Sequence, residues 1–277
     1  MSPALDIALR DQVRRLEQPS ALRHGVLPFG VAAIDRALPG GGLALGAVHE
    51  ILGSSGDEED GAAAAGFAAG IAARLGPRAG NDAPVLWCLK RPDLYGPGLL
   101  AHGLDPARLV LVRASRDEDI LWAIEEGLRS PGLAAVIGEI GRLPMVASRR
   151  LQLAAEHSGV TAFLLRRWRN AHEAAAERNR PSAALTRWRI TALPSVPIRP
   201  SLRVDRASPA SRGELGKGLG RPRWRLELLR CRGGEPAAWD VEISDATGSL
   251  SLSAGLADRP APPRRGDALF APDRLVG

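Results

Sequence analysis

The sequence predicts an α/β fold: a parallel β-sheet flanked by helices, with a C-terminal antiparallel extension reached through a flexible basic linker. Three observations predict it. Continuous apolar runs of strand length, such as Pro84-Val85-Leu86-Trp87-Cys88-Leu89, read as central parallel strands buried on both faces. Helical stretches of about 10–15 residues separate these runs as far as Leu165, the alternation that builds a parallel sheet. After Leu165 the period changes. Arg223 to Arg230 sets Trp224, Leu226 and Leu228 against Arg225, Glu227 and Arg230, the alternation of a half-solvated strand.

The elements follow in order. Ala4 to Glu17 carries Leu5, Leu9, Val13 and Leu16 at helical spacing, and residues 1–24 are read as an N-terminal helical unit. Residues 25–165 are read as the α/β core. In it, Leu27-Pro28-Phe29-Gly30 is a turn and Val31 to Leu38 a short helix, broken by Pro39-Gly40-Gly41-Gly42. Gly46 to Leu52 is the first buried strand and Gly61 to Leu75 an Ala/Gly-rich helix that packs closely on a sheet. Strands follow at Pro84–Leu89, Leu109–Val112, Leu133–Glu139 and Val160–Leu165. Helices fall between them at Asp93–His102, Asp117–Arg129 and Met145–Ser158. Residues 166–222 form a basic, partly flexible segment containing one strand, Thr186–Leu193. Residues 223–256 form a β-meander, and 257–277, with Pro260, Pro262 and Pro263, a loose tail.

Bulk properties narrow the function classes. No run of about 18 apolar residues exists to span a membrane, and Met1 to Glu17 lacks the apolar stretch of a signal peptide. Two cysteines, Cys88 and Cys231, make no disulfide framework or metal cluster, so the chain is expected to be cytoplasmic. The net charge of +6 is unevenly placed. Residues 1–165 hold 16 basic against 19 acidic side chains, 166–232 hold 17 against 5, and 233–277 hold 4 against 7. Such a block is the footprint of a polyanion or an acidic protein partner. Within it Trp168, Trp188 and Trp224 are flanked by Arg166, Arg167, Arg169, Arg187, Arg189, Arg223 and Arg225. Tryptophan with arginine suits stacking on unpaired bases and equally suits a protein hot spot, or an aromatic anchoring a sheet face.

The chemistry concentrates after the first strand. His49-Glu50-Ile51-Leu52-Gly53 runs into Gly53-Ser54-Ser55-Gly56, and a helix follows: the layout of a phosphate-binding loop. Such a loop needs a lysine for the terminal phosphates and a Ser/Thr for magnesium. Here Asp57-Glu58-Glu59-Asp60 stands in their place. Four carboxylates suit a helix N-terminus and repel a triphosphate. They do not make a metal site, which needs oxygens converging from several directions. His49 and Glu50, adjacent on a strand, point to opposite faces and do not form an acid–base pair.

The stretch from Leu27 to Leu165 resembles the ATPase core of RecA-type recombinases, on Leu27-Pro28-Phe29-Gly30 with Ile34-Asp35, Gly46 to Gly53, and Tyr95-Gly96 through Gly103-Leu104-Asp105. Arg223 to Gly234, with Arg230-Cys231-Arg232-Gly233-Gly234 its most specific part and Trp239 following, resembles the closing segment of the ImuA family, RecA-like accessory proteins of damage-inducible mutagenesis. The resemblance covers most of the chain. It implies a role in SOS-induced error-prone translesion synthesis. The implied partners are a polymerase-like subunit of the ImuB type, an error-prone replicative-type polymerase and RecA, with single-stranded DNA a further candidate ligand.

Carried over residue by residue, the RecA site is incomplete. With Gly53 at the loop's opening glycine, the lysine position falls on Glu59 and the Ser/Thr position on Asp60. The water-activating glutamate falls near Lys90. The strand-end aspartate is matched by Glu139. The expectation is therefore a degenerate nucleotide loop (Gly53, Ser54, Ser55, Gly56, Glu59, Asp60) with a vestigial carboxylate at Glu139. No ATPase activity and no cofactor go with it, because the charge clamp that phosphoryl transfer relies on is absent. The alternatives are an ATP-dependent or direct single-stranded-DNA-binding repair protein, and a RecA-like cell-division inhibitor.

Overall fold

The computed structural model describes residues 23–54, 57–79, 83–168, 170–195, 221–243 and 249–253. The N-terminal helix expected over Ala4–Glu17, the tail 257–277 and most of the stretch 194–220 lie outside them.

A two-residue strand, β1 (Val26–Leu27), pairs antiparallel with β2 (Leu43–Ala44) around the short helix α1 (Ala32–Ala37). The Asp35 carboxylate reaches back to accept from the Phe29 and Gly30 amides, at 2.6 and 3.0 Å, and so fixes the turn before α1. The large sheet then begins with β3 (Val48–Gly53). It continues through α2 (Asp57–Ala79), β4 (Val85–Leu89), α3 (Gly96–Leu100), β5 (Leu109–Arg113) and α4 (Asp117–Leu128). Next come β6 (Ala135–Ile140), α5 (Met145–Ser158), β7 (Thr161–Arg166) and α6 (Ala171–Glu177). The last strands are β8 (Thr186–Leu193), β9 (Arg223–Cys231), β10 (Ala237–Ile243) and β11 (Leu250–Leu252).

The nine strands lie in the order β11-β10-β9-β8-β3-β7-β6-β4-β5. From β8 to β5 all six are parallel, and β9, β10 and β11 continue the sheet antiparallel. This is the predicted α/β class, with the antiparallel region at the predicted end. No described helix is long and apolar enough to cross a membrane.

Two apolar cores lie on the two faces. On one, α2 lays Phe67, Ala68 and Ile71 against Trp87, Phe163 and Trp188. On the other, α4 and α5 bring Ile120, Ile124, Leu128 and Leu151 against Val48, Val136 and Leu164. Gly138 on β6 is what lets α4 sit so close: a Cβ there would fall 2.1 Å from Ile124 Cδ1.

Several boundaries differ from those the sequence predicts. Helix α2 starts at Asp57, four residues before the expected Gly61, because its acidic residues complement the positive end of the helix dipole. The helix expected over Asp93–His102 shortens to α3, where Gly96, Pro97 and Gly98 weaken helical propensity. The boundary drawn at 165/166 does not interrupt the fold. Strand β7 includes Arg166, and β8 pairs with β3 from His49↔Thr186 to Gly53↔Ile190. Without β8, the central strand β3 would present an unpaired backbone edge, which sheets avoid. The β1–β2 pair is too short to leave a periodic signal.

The candidate nucleotide site and its internal ion pairs

In a parallel sheet, the crevice at the carboxyl ends of the strands receives ligands. Gly53 ends β3 there, Glu139 lies near the end of β6, and Arg166 closes β7 with Arg167 following it. Lys90 follows β4 directly. The sequence motif and the fold thus converge on one place.

The glycine loop is engaged by the chain itself. Asp60, buried in the first turns of α2, accepts through Oδ2 from the Ser54 amide at 3.1 Å and from the Ser54 hydroxyl at 2.7 Å. Its Oδ1 accepts from the Ala192 amide on β8 at 2.9 Å. A backbone amide and a hydroxyl aimed at an anion are what a phosphate would meet in such a loop. Here the anion is a side-chain carboxylate. Gly53 is required by this closeness, since a Cβ there would fall 2.8 Å from Asp60 Cβ. Ser55, Gly56 and the side chain of Glu59 lie outside the described residues.

Glu139, the strand-end carboxylate, is also engaged. Trp87 Nε1 donates to it at 3.2 Å and Arg167 Nη1 at 2.9 Å. Burial raises its affinity for a proton, and the nearby Arg167 charge only partly offsets this. Arg167 also forks onto Asp93 at 3.0 and 2.7 Å, and that hydrogen bond holds the Asp93 carboxyl below its ordinary range. Where a water-activating glutamate is expected, Lys90 donates to Asp117 at 3.0 Å. Burial works against the Asp117 charge, yet donation from Lys90 and from the Gly141 and Arg142 amides keeps its pKa low.

Beneath this layer Glu50 is completely buried. It accepts from Arg166 at 3.1 Å, from Arg187 at 3.2 Å and from the Ser182 hydroxyl. Arg166 also donates to the Gly141 carbonyl at 2.9 Å, and burial lowers its pKa despite Glu50. His49 faces the other way, bonded to Thr186 Oγ1 at 2.7 Å and the Ala44 carbonyl at 2.9 Å. Burial pulls its pKa down to about 4, so the ring is neutral. The opposite facing of His49 and Glu50 is as the sequence predicts.

The space at the crevice is divided. The cavity bounded by Gly53, Gly61, Glu139, Arg166, Arg167 and Trp168 has a volume of about 20 Å³, room for about one water. The adjoining cleft, which Gly61, Glu139 and Arg167 also line together with Asp93, Tyr95 and His102, has a volume of about 430 Å³, within the range of small-molecule sites.

The tryptophan–arginine surface expected of 166–232 is corrected by the burial of its members. Trp168, Trp188 and Trp224 are 7%, 0% and 5% exposed and belong to the cores, so they offer no face for a base to stack on. Trp168 donates to the Gly141 carbonyl at 2.9 Å and carries the Arg166 guanidinium over its ring. Arg189 forks onto Glu227 at 2.6 Å through each arm. Arg223 reaches the Pro194 carbonyl and Glu242, and Arg225 lies 3.6 Å from Asp240 at the half-exposed surface. Arg169 lies outside the described residues. Much of the described basic excess therefore neutralises carboxylates within the fold.

Sequence reasoning missed the Glu50–Arg166–Arg187–Ser182 cluster and the anchoring role of Asp60. A signal existed for the first: a glutamate inside a fully apolar strand needs a buried cationic partner.

No protein-family model matches the chain. Two curated proteins do, each called Protein ImuA, from Caulobacter vibrioides strains NA1000 / CB15N and ATCC 19089 / CIP 103742 / CB 15. Each is 39% identical over 223 residues, covering 80% of this chain and 84% of the relative. The chain belongs to the ImuA family. In this ImuA-family protein, then, Ser54, directly after the first core strand, is bonded to a carboxylate of its own chain, and Arg167 beside it is paired with Glu139 and Asp93.

Proposed function

We propose that this protein is a non-catalytic accessory factor of SOS-induced, error-prone translesion DNA synthesis. In this reading it docks a polymerase-like subunit of the ImuB type, with an error-prone replicative-type polymerase and RecA as further direct or indirect contacts. Family membership supports the pathway. The observation that carries the non-catalytic part is the buried Asp60 carboxylate, which occupies the Ser54 amide and hydroxyl and the Ala192 amide where the loop's Ser/Thr position is expected.

The fold then acts as a rigid platform, and contact falls to its exposed basic residues. Arg225 is half-exposed, and residues 196–220 add five basic against two acidic side chains. The burial of Trp168, Trp188 and Trp224 favours protein docking over stacking on single-stranded DNA.

The test is an affinity capture of tagged full-length protein from DNA-damaged cells after nuclease treatment, read by mass spectrometry. Recovery of a polymerase-like subunit or a RecA-type recombinase is expected. Retention of neither, with capture restored only when DNA is left intact, overturns the docking assignment and favours direct nucleic-acid binding.

A further inference from the structure

Strand β5 is one edge of the nine-stranded sheet and is bonded to β4 alone. Its side chains alternate between the two faces. Leu109 packs on the core under α2, and Val112 on the core under α4. Leu111 therefore lies on the α2 side and Val110 on the α4 side. They are 56% and 46% exposed. Helix α4 rests chiefly on β4, β6 and β7, further into the sheet.

The backbone of this strand is open as well. The Ala114 amide donates to the Leu89 carbonyl at the end of β4, at 3.2 Å, so residues 110, 112 and 114 turn their polar groups toward β4. The amides and carbonyls of Leu109, Leu111 and Arg113 point the other way, out of the edge. Native sheets blunt such edges with charge, proline or brevity. The opposite edge strand, β11, has three residues. β5 has five, and neither a charge nor a proline interrupts Leu109 to Val112.

The strand that matches this edge is β5 itself, run antiparallel. About a two-fold axis at Leu111, Leu111 faces Leu111 of a second copy, Val110 faces Val112, and Leu109 faces the aliphatic stem of Arg113. The outward amides and carbonyls of residues 109, 111 and 113 then bond one another. Charge favours this direction. Arg113, at one end of the strand, and Asp105, before the other end, are both exposed. Antiparallel pairing sets the Arg113 end of each strand against the Asp105 end of the other. Parallel pairing in register would set two Arg113 side chains abreast, which like charges oppose. A two-fold contact is also closed, so it covers the β5 edge of both copies at once.

We propose that two copies of this chain pair through β5, antiparallel about Leu111, and so join their sheets across a two-fold axis. A five-residue strand pair is a small interface, so the dimer belongs to the weak class, populated at about 100 μM protein and dissociating on dilution.

Single cysteines in the full chain test the register, since Cys88 and Cys231 are buried with thiol pKa values raised to about 12 and about 11. At the axis, the two Leu111 Cα atoms would lie about 5.5 Å apart, within disulfide reach. The two Arg113 Cα atoms would lie about 14 Å apart, beyond it. Under mild oxidation Leu111→Cys is expected to give covalent dimer at least tenfold faster than Arg113→Cys. A mixture of Leu109→Cys and Arg113→Cys chains should cross-link to each other faster than either does to itself. Equal rates for Leu111→Cys and Arg113→Cys would overturn the proposal. Sedimentation of the unmodified chain gives a second readout. Dimer is expected at about 100 μM, lost in Leu111→Lys, which sets two ammonium groups across the axis, and kept in Val146→Lys, an equally exposed position elsewhere. Both variants should melt with the wild type. A wild-type chain that stays monomeric at this concentration, or a Leu111→Lys chain that still dimerises, would contradict the assignment.

Discussion

The Arg167 guanidinium lies 2.9 Å from the Glu139 carboxylate and 2.7 Å from that of Asp93, linking the end of β6 to the loop after β4. Glu139 is nearly fully buried, so this is not a surface pair whose removal passes unnoticed. Replacing Arg167 with methionine leaves a buried carboxylate uncompensated and should cost about 3 kcal/mol in urea denaturation. The double variant Arg167→Met with Glu139→Gln should recover most of that loss, because the uncompensated charge is gone.

Glu139 should also leave a mark on the pH dependence. Its folded pKa is raised above the ordinary 4.5, so the folded state holds the proton more tightly than the unfolded chain. That contribution is full below pH 4.5 and is lost as pH rises through the raised folded value. Wild-type stability, measured relative to Glu139→Gln, should therefore fall with rising pH above 4.5 and then level off.

His49 gives the opposite slope. Its folded pKa is depressed to about 4 from 6.5, so its contribution is present above pH 6.5 and is lost on acidification through pH 4. Between those limits the loss should approach about 3 kcal/mol. A folded His49→Gln variant should lack this component, so a curve parallel to wild type would refute the assignment of a neutral buried ring.

The Gly53–Asp60 contact should show as coupling. Gly53→Ala forces a methyl to 2.8 Å from Asp60 Cβ and should cost about 1–3 kcal/mol. In an Asp60→Gly background that Cβ is gone, and the same substitution should cost markedly less. A double-mutant cycle by thermal denaturation measures the difference.

The parallel core was legible because buried parallel strands such as Val85–Leu89 are apolar throughout and Asp117–Leu128 sets Ile120, Ile124 and Leu128 on one buried face. The reversed charge of the loop was legible too, since no lysine precedes Lys90. Other features depend on long-range pairing. Trp188 alternates with arginines and so resembles a half-exposed strand, yet Arg187 turns inward to Glu50 while Trp188 packs under α2. Asp60 looks like the last of four solvated carboxylates until β8 delivers the Ala192 amide to it, 132 residues away. Periodicity reports which side of an element is apolar. It does not report which ion pairs the tertiary fold will bury.

The central claim is that the loop's anion site is already filled. Its most direct test is a calorimetric titration of the full-length protein with ATP and magnesium, carried to millimolar nucleotide, beside the same titration of Asp60→Asn. No saturable heat is expected from the wild-type protein. Saturable micromolar binding, weakened when Arg167 or Glu139 is altered, would contradict the account and return the crevice to a working nucleotide site.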